Sequence, residues 1–293
     1  MNHRRTVCLG LISDTHMPER WPALPPAIFE LFKGVDLLLH AGDIGELWVL
    51  DQLSTIAPVV AVHGNDDTAD SQRELPYQQL ITIAGQRILL WHSHLADRIA
   101  ELADRRVDWT LRQKLERMIS RAQEAGSTIC VFGHWHMPLV LQQDSVMVIN
   151  PGAIASGNPF TRQLVQTVAL LEVAENGNFT YTHFNLAEPE RPYFPAVDLD
   201  AGFPPNLALY SDTILSPDLA ILPQQRLWEI IHLDIVHLYP AVLRVAHRCW
   251  SGERLTITRA DLITELQRDA TITPEIKNKA IEAIKQLPRE SDL

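Results

Sequence analysis

The sequence predicts a mixed α/β protein: two packed sheets with helices outside them, followed by a helical C-terminal region. Three observations carry this. Apolar strand-like runs alternate with helix-like stretches over residues 6–63, a pattern that folds as a parallel sheet covered by helices. The order then changes to strand pairs around turn residues, at Gly85-Gln86, Asp144-Ser145 and Asn176-Gly177, as in hairpins. Composition shifts after Asn185: residues 186–205 carry Pro189, Pro192, Pro195, Pro204 and Pro205, and helical spacing follows from 206 onward.

Residues 6–13 form a near-continuous apolar run, as a central strand buried on both faces requires. Residues 22–32 read as a helix, with Leu24, Ile28 and Leu31 on one face. Residues 36–40 and 58–63 read as the next buried strands. A helix over 46–56 separates them, with Leu47, Leu50 and Leu53 inward and Glu46 near its start, where an acid suits the helix dipole. Strands over 78–84 and 87–91 flank the Gly85-Gln86 turn, and 95–126 reads as two helices meeting near Val107 and Asp108. A buried strand over 128–132 stops at Gly133, and hairpins follow over 139–149 and 164–185. The proline-rich segment is expected as an extended linker or strap. Residues 223–250 carry an apolar stripe (Leu227, Ile230, Ile231, Ile235, Leu238) that Pro240 is expected to kink or break. Thr258 and Thr273 are expected as helix caps, the latter followed by proline at the first helical position. The predicted organisation is thus a main domain over 1–186, a linker over 187–205 and a helical region over 206–293.

The chain has 293 residues, 46% hydrophobic and 21% charged, enough to bury a sizeable core. Its net charge of −11 disfavours a long grip on nucleic acid. A small anionic substrate is still allowed, because bound metal cations can dominate the local field. Cys8, Cys130 and Cys249 are odd in number and widely spaced, so free thiols and a reducing, cytoplasmic compartment are expected. Arg4-Arg5 precede an apolar run, but Asp14 interrupts it at once, so no signal peptide is expected there. No run is long enough to span a bilayer.

Polar clusters end five of the strand-like runs: Asp14-Thr15-His16, His40-Ala41-Gly42-Asp43, His63-Gly64-Asn65-Asp66-Asp67, Trp91-His92-Ser93-His94 and Gly133-His134-Trp135-His136. Ligands of parallel α/β sheets bind beyond the carboxyl ends of the strands. On extended backbone, His134 and His136 would point the same way, toward one spot. Asp14, His16, Asp43, Asn65, His92, His134 and His136 are too many ligands for one zinc-like ion, which takes about four. They suit two ions sharing a bridging carboxylate, and mixed imidazole and oxygen donors fit Mn, Fe, Zn, Ni or Co better than Mg or Ca alone. Such a pair clamps a phosphoryl group and brings a bridging water to a pKa near ~7 for in-line attack. His40 and His63 read as hydrogen-bonded groups behind the ligands, and His94 as one of these or as facing substrate. Trp91 and Trp135 read as core. His232, His237 and His247 are not spaced for one helical face and are not expected to form a metal site. Arg98, Arg105, Arg106 and Arg112 lie on the segment that starts beside the site, and read as solvated unless they reach substrate.

In that chain order, the motifs over residues 6–186 resemble those of the calcineurin-like metallophosphoesterases. The branch they look most like is the small bacterial and archaeal phosphodiesterases, which share the turn seen here as Asn150-Pro151-Gly152. The resemblance implies a four-layer α/β/β/α sandwich and a hydrolase acting on phosphodiester bonds, with phosphomonoesters as the second class. It implies two divalent ions, Mn first, with Ni, Zn, Fe, Co or Mg as alternatives. Asp14, His16 and His136 would bind the first, Asn65, His92 and His134 the second, and Asp43 would bridge. Asn65, Asp66 and His92 would lie nearest the chemistry. The sequence departs from the family in three places. Asp66 stands where many members carry a His that helps the leaving group depart. His92-Ser93-His94 replaces an expected His-Gly-His. The segment between His92 and His134 is longer by about one helix. The implied partner is a small phosphate ester, without long nucleic acid or membrane, and the C-terminal helices are expected to meet a second copy or another protein. Two rival readings are a non-catalytic scaffold, disfavoured because no ligand is missing, and a nucleotide or cyclic-nucleotide hydrolase.

Overall fold

Side-chain alternation along the strands sets the layers. A computed structural model describes residues 6–105 and 110–288. The chain first runs β1 (Thr6–Ile12), α1 (Pro26–Leu31), β2 (Leu37–His40), α2 (Trp48–Ser54), β3 (Val59–Ala61) and α3 (Ala69–Glu74). It continues through β4 (Gln78–Ile83), β5 (Gln86–Trp91), α4 (Arg98–Arg105), α5 (Leu111–Glu124), β6 (Ile129–Phe132), β7 (Pro138–Gln143) and β8 (Val146–Pro151). Then come β9 (Thr161–Gln163), β10 (Thr167–Ala174), β11 (Phe179–Asn185), α6 (Phe203–Leu207) and β12 (Ser211–Thr213). One five-stranded sheet has the order β11-β10-β1-β2-β3, with β1, β2 and β3 parallel. The other has the order β4-β5-β6-β8-β7, with β5, β6 and β8 parallel and antiparallel strands at its edges.

Successive residues of a strand face opposite ways. Leu9 and Leu11 of β1 therefore pack between the sheets with Ile88 and Leu90 of β5 and Ile129 and Val131 of β6. Ile12 and Leu38 face outward, onto Ile28, Phe32, Val49 and Leu53 from the α1 and α2 regions. Leu89, Cys130, Phe132 and Val148 face outward on the other side, onto Leu115, Met118, Ile119 and Ala122 of α5. The result is the α/β/β/α sandwich; β2 and β6, buried on both faces, are strands that the apolar runs predicted, whereas β8, buried throughout, was expected only as half of a hairpin.

The differences are local. The first helix starts at Pro26, four residues later than expected, because Pro25 and Pro26 fix its N-terminus. The short α3 has no apolar stripe to announce it; the Thr68 side chain caps it by accepting from Ser71 N–H. The expected meeting point of the two middle helices, Val107-Asp108, lies outside the described residues, as do residues 1–5 with Arg4 and Arg5.

The chain divides into two compact units, Met1–Gly157 with Gln163–Ser211, and Asn158–Arg162 with Asp212–Leu293. The segment 187–205 thus belongs to the first unit. Leu111 and Arg112 donate backbone hydrogen bonds to Ala201 and Leu199, and Val197, Leu199 and Phe203 pack against the outer core of the second sheet. The second unit holds α7 (Pro217–Ala220), α8 (Gln224–Ile231), α9 (Ile235–Trp250), α10 (Arg259–Arg268) and α11 (Pro274–Gln286). Its own core joins Leu227, Ile231, Leu238, Leu262 and Ile281 to Phe160. Pro240 does not break its helix: α9 runs through it, and the break falls earlier, between Ile231 and Ile235. A proline there removes one bond, to the carbonyl of Val236, and that residue is exposed. Thr258 and Thr273 cap α10 and α11 as expected. Among the described residues, no helix is long and apolar enough to cross a membrane.

Leu11 is fully buried between the sheets, whereas Phe194 is 85% exposed. Leu11→Ala is expected to destabilise the protein by about 3 kcal/mol, and Phe194→Ala by no more than about 0.5 kcal/mol. Urea unfolding of the two variants checks the contrast.

Candidate metal centre

The predicted ligands meet beyond the carboxyl ends of five strands. Asp14 and His16 follow β1, Asp43 follows β2, Asn65 and Asp66 follow β3, His92 follows β5, and His134 and His136 follow β6. The donor atoms of six of the predicted ligands, with Asp66, gather in three overlapping groups, each within 4.8 Å: Asp14, His16 and His136; Asp43, His92 and His134; and His16, Asp43 and Asp66. Asp43 joins them. Its Oδ2 lies 3.6 Å from His16 Nε2 and 3.1 Å from His92 Nε2. His136 Nε2 lies 3.2 Å from Asp14 Oδ1 and 3.4 Å from His16 Nε2. The buried Oδ1 of Asn65 makes no hydrogen bond to the described residues, while its Nδ2 donates to Asp66 Oδ1 at 2.7 Å.

Strained backbone holds this arrangement. Asp14, His16, Asp43, His134 and His136 all have φ between 44° and 73°, a left-handed conformation that non-glycine residues adopt only when the surroundings enforce it. His134 and His136 therefore do not sit on extended backbone, and the expectation that they converge on one point is corrected: His134 joins Asp43 and His92, and His136 joins Asp14 and His16. Two glycines let the loops close on each other. A Cβ on Gly133 would collide with Ser13 Oγ and lie 2.6 Å from the carbonyl oxygen of Ala41, and one on Gly64 would collide with Asp43 Oδ1.

Hydrogen bonds orient each imidazole. His92 Nδ1–H donates to the Ala41 carbonyl at 2.7 Å and His136 Nδ1–H to the Ala155 carbonyl at 3.0 Å, which leaves Nε2 of each as the coordinating nitrogen. His92 Nε2 is close enough to Asp43 for an ion pair but lacks hydrogen-bond geometry. His134 Nε2 contacts Glu101 Oε1 at 2.9 Å. A nitrogen that donates to a carboxylate cannot also ligate a metal, so the other nitrogen, Nδ1, is the one suited to coordination. Asp14 accepts from Ser13 Oγ and, at 3.0 Å, from His134 N–H. His40 is fully buried and donates from Nε2 to the hydroxyl of Thr15, between Asp14 and His16, at 3.0 Å. His63 contacts the Gly64 carbonyl and packs at a tilt against Tyr77 and His94.

Electrostatics follow burial. Burial opposes charge on Asp14, but His136, His92 and the Ser13 hydroxyl hold its carboxyl well below the usual range. Burial also opposes charge on Asp66, and Arg20 outweighs it, lowering its pKa. Burial and then Arg20 keep His16 neutral. Burial opposes charge on His92, yet Asp43 and Asp14 raise it to about 10. Burial pushes the Cys130 thiol up to about 12, as an inert core thiol.

Sequence reasoning missed three residues of this centre. Arg20 is buried and donates to Asp66, Ser156 and Gly157. Asp67 accepts from Gly45 N–H and Gly64 N–H, both at 2.7 Å, and so ties the loops after β2 and β3. Glu101 comes from the extra helix between His92 and His134. Arg20 stands four residues after His16, the available signal for it; Glu101 had none. Asn150 Nδ2 donates to the Gly133 carbonyl at 3.0 Å, which gives the Asn-Pro-Gly turn a part in shaping the last loop. Arg112 pairs instead with Asp200. Arg106 and the side chains of Arg98 and Arg105 lie outside the described residues.

The donor set fits divalent transition metals. It offers imidazole nitrogens and carboxylate oxygens together, and among the described residues Asn65 Oδ1 and His92 Nε2 have no hydrogen-bond partner.

Residues 8–176 match the calcineurin-like phosphoesterase superfamily domain. A probable metallophosphoesterase of Methanothermobacter thermautotrophicus is 32% identical over 145 residues, covering 50% of this chain and 76% of that protein. A phosphodiesterase of Methanocaldococcus jannaschii is 27% identical over 148 residues, covering 49% of this chain and 82% of its own. Among solved structures, Chaetomium thermophilum Vps29 matches 66% of this chain and 97% of its own, at 16% identity and a TM-score of 0.45.

His183 Nε2–H donates to the Asn150 carbonyl at 2.8 Å, and burial lowers its pKa to about 4. The unfolded chain, with an ordinary histidine pKa of about 6.5, then binds more protons than the folded one between pH 6.5 and about 4. Stability is fully present above this window and falls as pH drops through it, by at most about 1.4 kcal/mol per pH unit for one group. His183→Gln is expected to flatten the fall measured by urea unfolding from pH 7 to 5; an unchanged slope would contradict the assignment.

Proposed function

The chain belongs to the calcineurin-like phosphoesterase superfamily, and from that premise we propose that it is a metal-dependent phosphoesterase that hydrolyses small phosphodiesters. The observation that carries the reading is the position of Asp43 Oδ2, within 3.6 Å of one imidazole group and 3.1 Å of the other. One carboxylate so placed can serve two cations. Asp14, His16 and His136 would hold the first ion, and Asn65, His92 and His134 the second. Two divalent ions, Mn first among the candidates, supply Lewis acidity there: they neutralise phosphoryl charge and acidify water.

The chain's own residues do the rest. The hydrogen bonds to Ala41 and Ala155 fix the ring orientations of His92 and His136 and reserve Nε2 of each for coordination. Asp66, ionised and paired with Arg20, cannot donate a proton to a leaving group. The departing alkoxide must rely on its own stability, so good leaving groups are favoured. The complete ligand set favours an enzyme over a scaffold. The acidic chain favours small esters, cyclic nucleotides among them, over polynucleotides. Its three free cysteines are compatible with the cytoplasm. The helical second unit contributes none of these ligands, and its part in the proposal is association with a second copy or another protein.

Protein loaded with excess Mn and desalted should carry more than one ion per chain by elemental analysis. Asp43→Asn should reduce this to one or fewer and cut hydrolysis by more than the ~10–100-fold typical of groups behind the ligands, the range expected for His40→Asn. If His40→Asn proved the more damaging in both readouts, the ranking of the two residues would be wrong.

Single-turnover rates on a series of phosphodiesters should rise steeply as the leaving-group pKa falls, aryl above alkyl. A flat dependence would mean that some group does protonate the leaving oxygen.

A further inference from the structure

Arg20 is the feature that the metal centre leaves unexplained. It is 5% exposed, and a guanidinium so buried is costly to desolvate unless several groups receive it. Here they do: Nη2 donates to Asp66 Oδ2 at 2.8 Å, and Nη1 to the Gly157 carbonyl at 2.8 Å and the Ser156 carbonyl at 3.4 Å. The carbonyls come from the turn beyond β8 and the carboxylate from the loop after β3. These bonds aim the guanidinium at the centre, with Nη1 3.5 Å from His16 Nε2.

That position is electrostatically awkward for metal binding alone. His16 Nε2 is a proposed ligand atom, and a fixed positive charge beside it repels the cation that would bind there. Asp66 and the half-exposed Glu19, 3.8 Å from Arg20 Nε, offset part of this. The remaining conflict is relieved when an anion shares the space between the guanidinium and the metals. A guanidinium, planar and always charged, presents paired N–H groups that match the oxygens of a phosphate.

We propose that Arg20, held in place by Asp66, is a substrate-binding residue that grips a non-bridging phosphoryl oxygen beside the His16 side of the centre. The inference rests on the phosphoesterase reading above and extends it with a residue outside the metal ligands. It also gives Asp66 a purpose. The carboxylate positions Arg20, and the site thereby exchanges a proton donor for a fixed cation that stabilises charge on the phosphoryl group. Bond making and breaking are unchanged: water attacks phosphorus, the ester oxygen leaves, and Arg20 transfers no proton.

The test is equilibrium binding, which needs no turnover. Inorganic phosphate is titrated by calorimetry into Mn-loaded full-length wild type, Arg20→Lys and Arg20→Gln. Mn affinity is measured separately in phosphate-free buffer. Both variants should bind phosphate at least about tenfold more weakly, the effect of losing a charge-assisted hydrogen bond. Arg20→Gln should bind Mn at least as tightly as wild type, because the repelling charge is gone. Arg20→Lys keeps the charge but loses the fork, and serves if the glutamine variant does not fold. A merely structural arginine would weaken Mn and phosphate together, and that result overturns the proposal. Phosphate affinity unchanged in both variants overturns it alone. Wild type that takes up Mn yet neither binds phosphate nor hydrolyses any ester overturns the phosphoesterase reading and this inference with it.

Discussion

A single buried carboxylate, Asp43, has to face two imidazole groups at once, and much of the local structure follows from that demand. His16 reaches it from the loop after β1 and His92 from the loop after β5, so strand ends from both sheets must approach within a few ångströms. Loops that close have no room for ordinary side chains at the points of contact, hence glycine at positions 64 and 133. Nor can they keep relaxed backbone, hence the left-handed conformations of five donors. Asp67, Asn150 and Asp14 then cross-brace the loops with hydrogen bonds, so that the strain is enforced by neighbours and not released. The sheet core beneath supplies the rigidity: Leu11, Leu90 and Val131, each close to a strand end, are fully buried between the two sheets.

The donors were legible in the sequence because the physics that places them is local. An apolar run that stops at a carboxylate or imidazole marks a strand end, and five such ends in order are hard to produce by chance. Layering was legible for the same reason, since two-sided burial demands unbroken apolar strands. What escaped was non-local. Arg20 meets Asp66 and Gly157 across 46 and 137 residues of chain, and Glu101 meets His134 across 33. No spacing rule connects such pairs. The geometry of His134 and His136 was misread because alternation assumes an extended strand, and the chain turns at Gly133 before the first of them.

The C-terminal region shows the limits of reading proline and composition as punctuation. Prolines at 189, 192 and 195 look like a linker, yet the segment around them adds Val197, Leu199 and Phe203 to the outer core of the second sheet. Tyr210, fully buried, completes that core and donates its hydroxyl to the Ala196 carbonyl. The first unit therefore ends near Ser211, some 25 residues past the apparent boundary at 186. The second unit in turn borrows Asn158–Arg162, and Phe160 is one of its fully buried side chains. The two units are interwoven in sequence although each has its own core. A chain cut at 186 would strip apolar cover from α5 and the second sheet, so separating the units by truncation is not a clean experiment on this protein.

The balance of charge around the centre places a further constraint on its chemistry. Asp14, Asp43 and Asp66 lie among the donor groups, Asp67 and Glu101 lie beside them, and Arg20 brings a fixed cation. Two divalent ions would carry four positive charges and Arg20 a fifth, against five carboxylates, so the filled site would be close to balanced and net charge alone would not draw substrate in. What the residues supply is placement. A phosphodiester carries one negative charge and gains more as attack proceeds, and a donor fixed in advance, such as Arg20 held by Asp66 and two backbone carbonyls, meets that charge where it develops. Groups so placed bind the transition state more tightly than the ground state, which is the requirement for acceleration rather than mere retention of substrate.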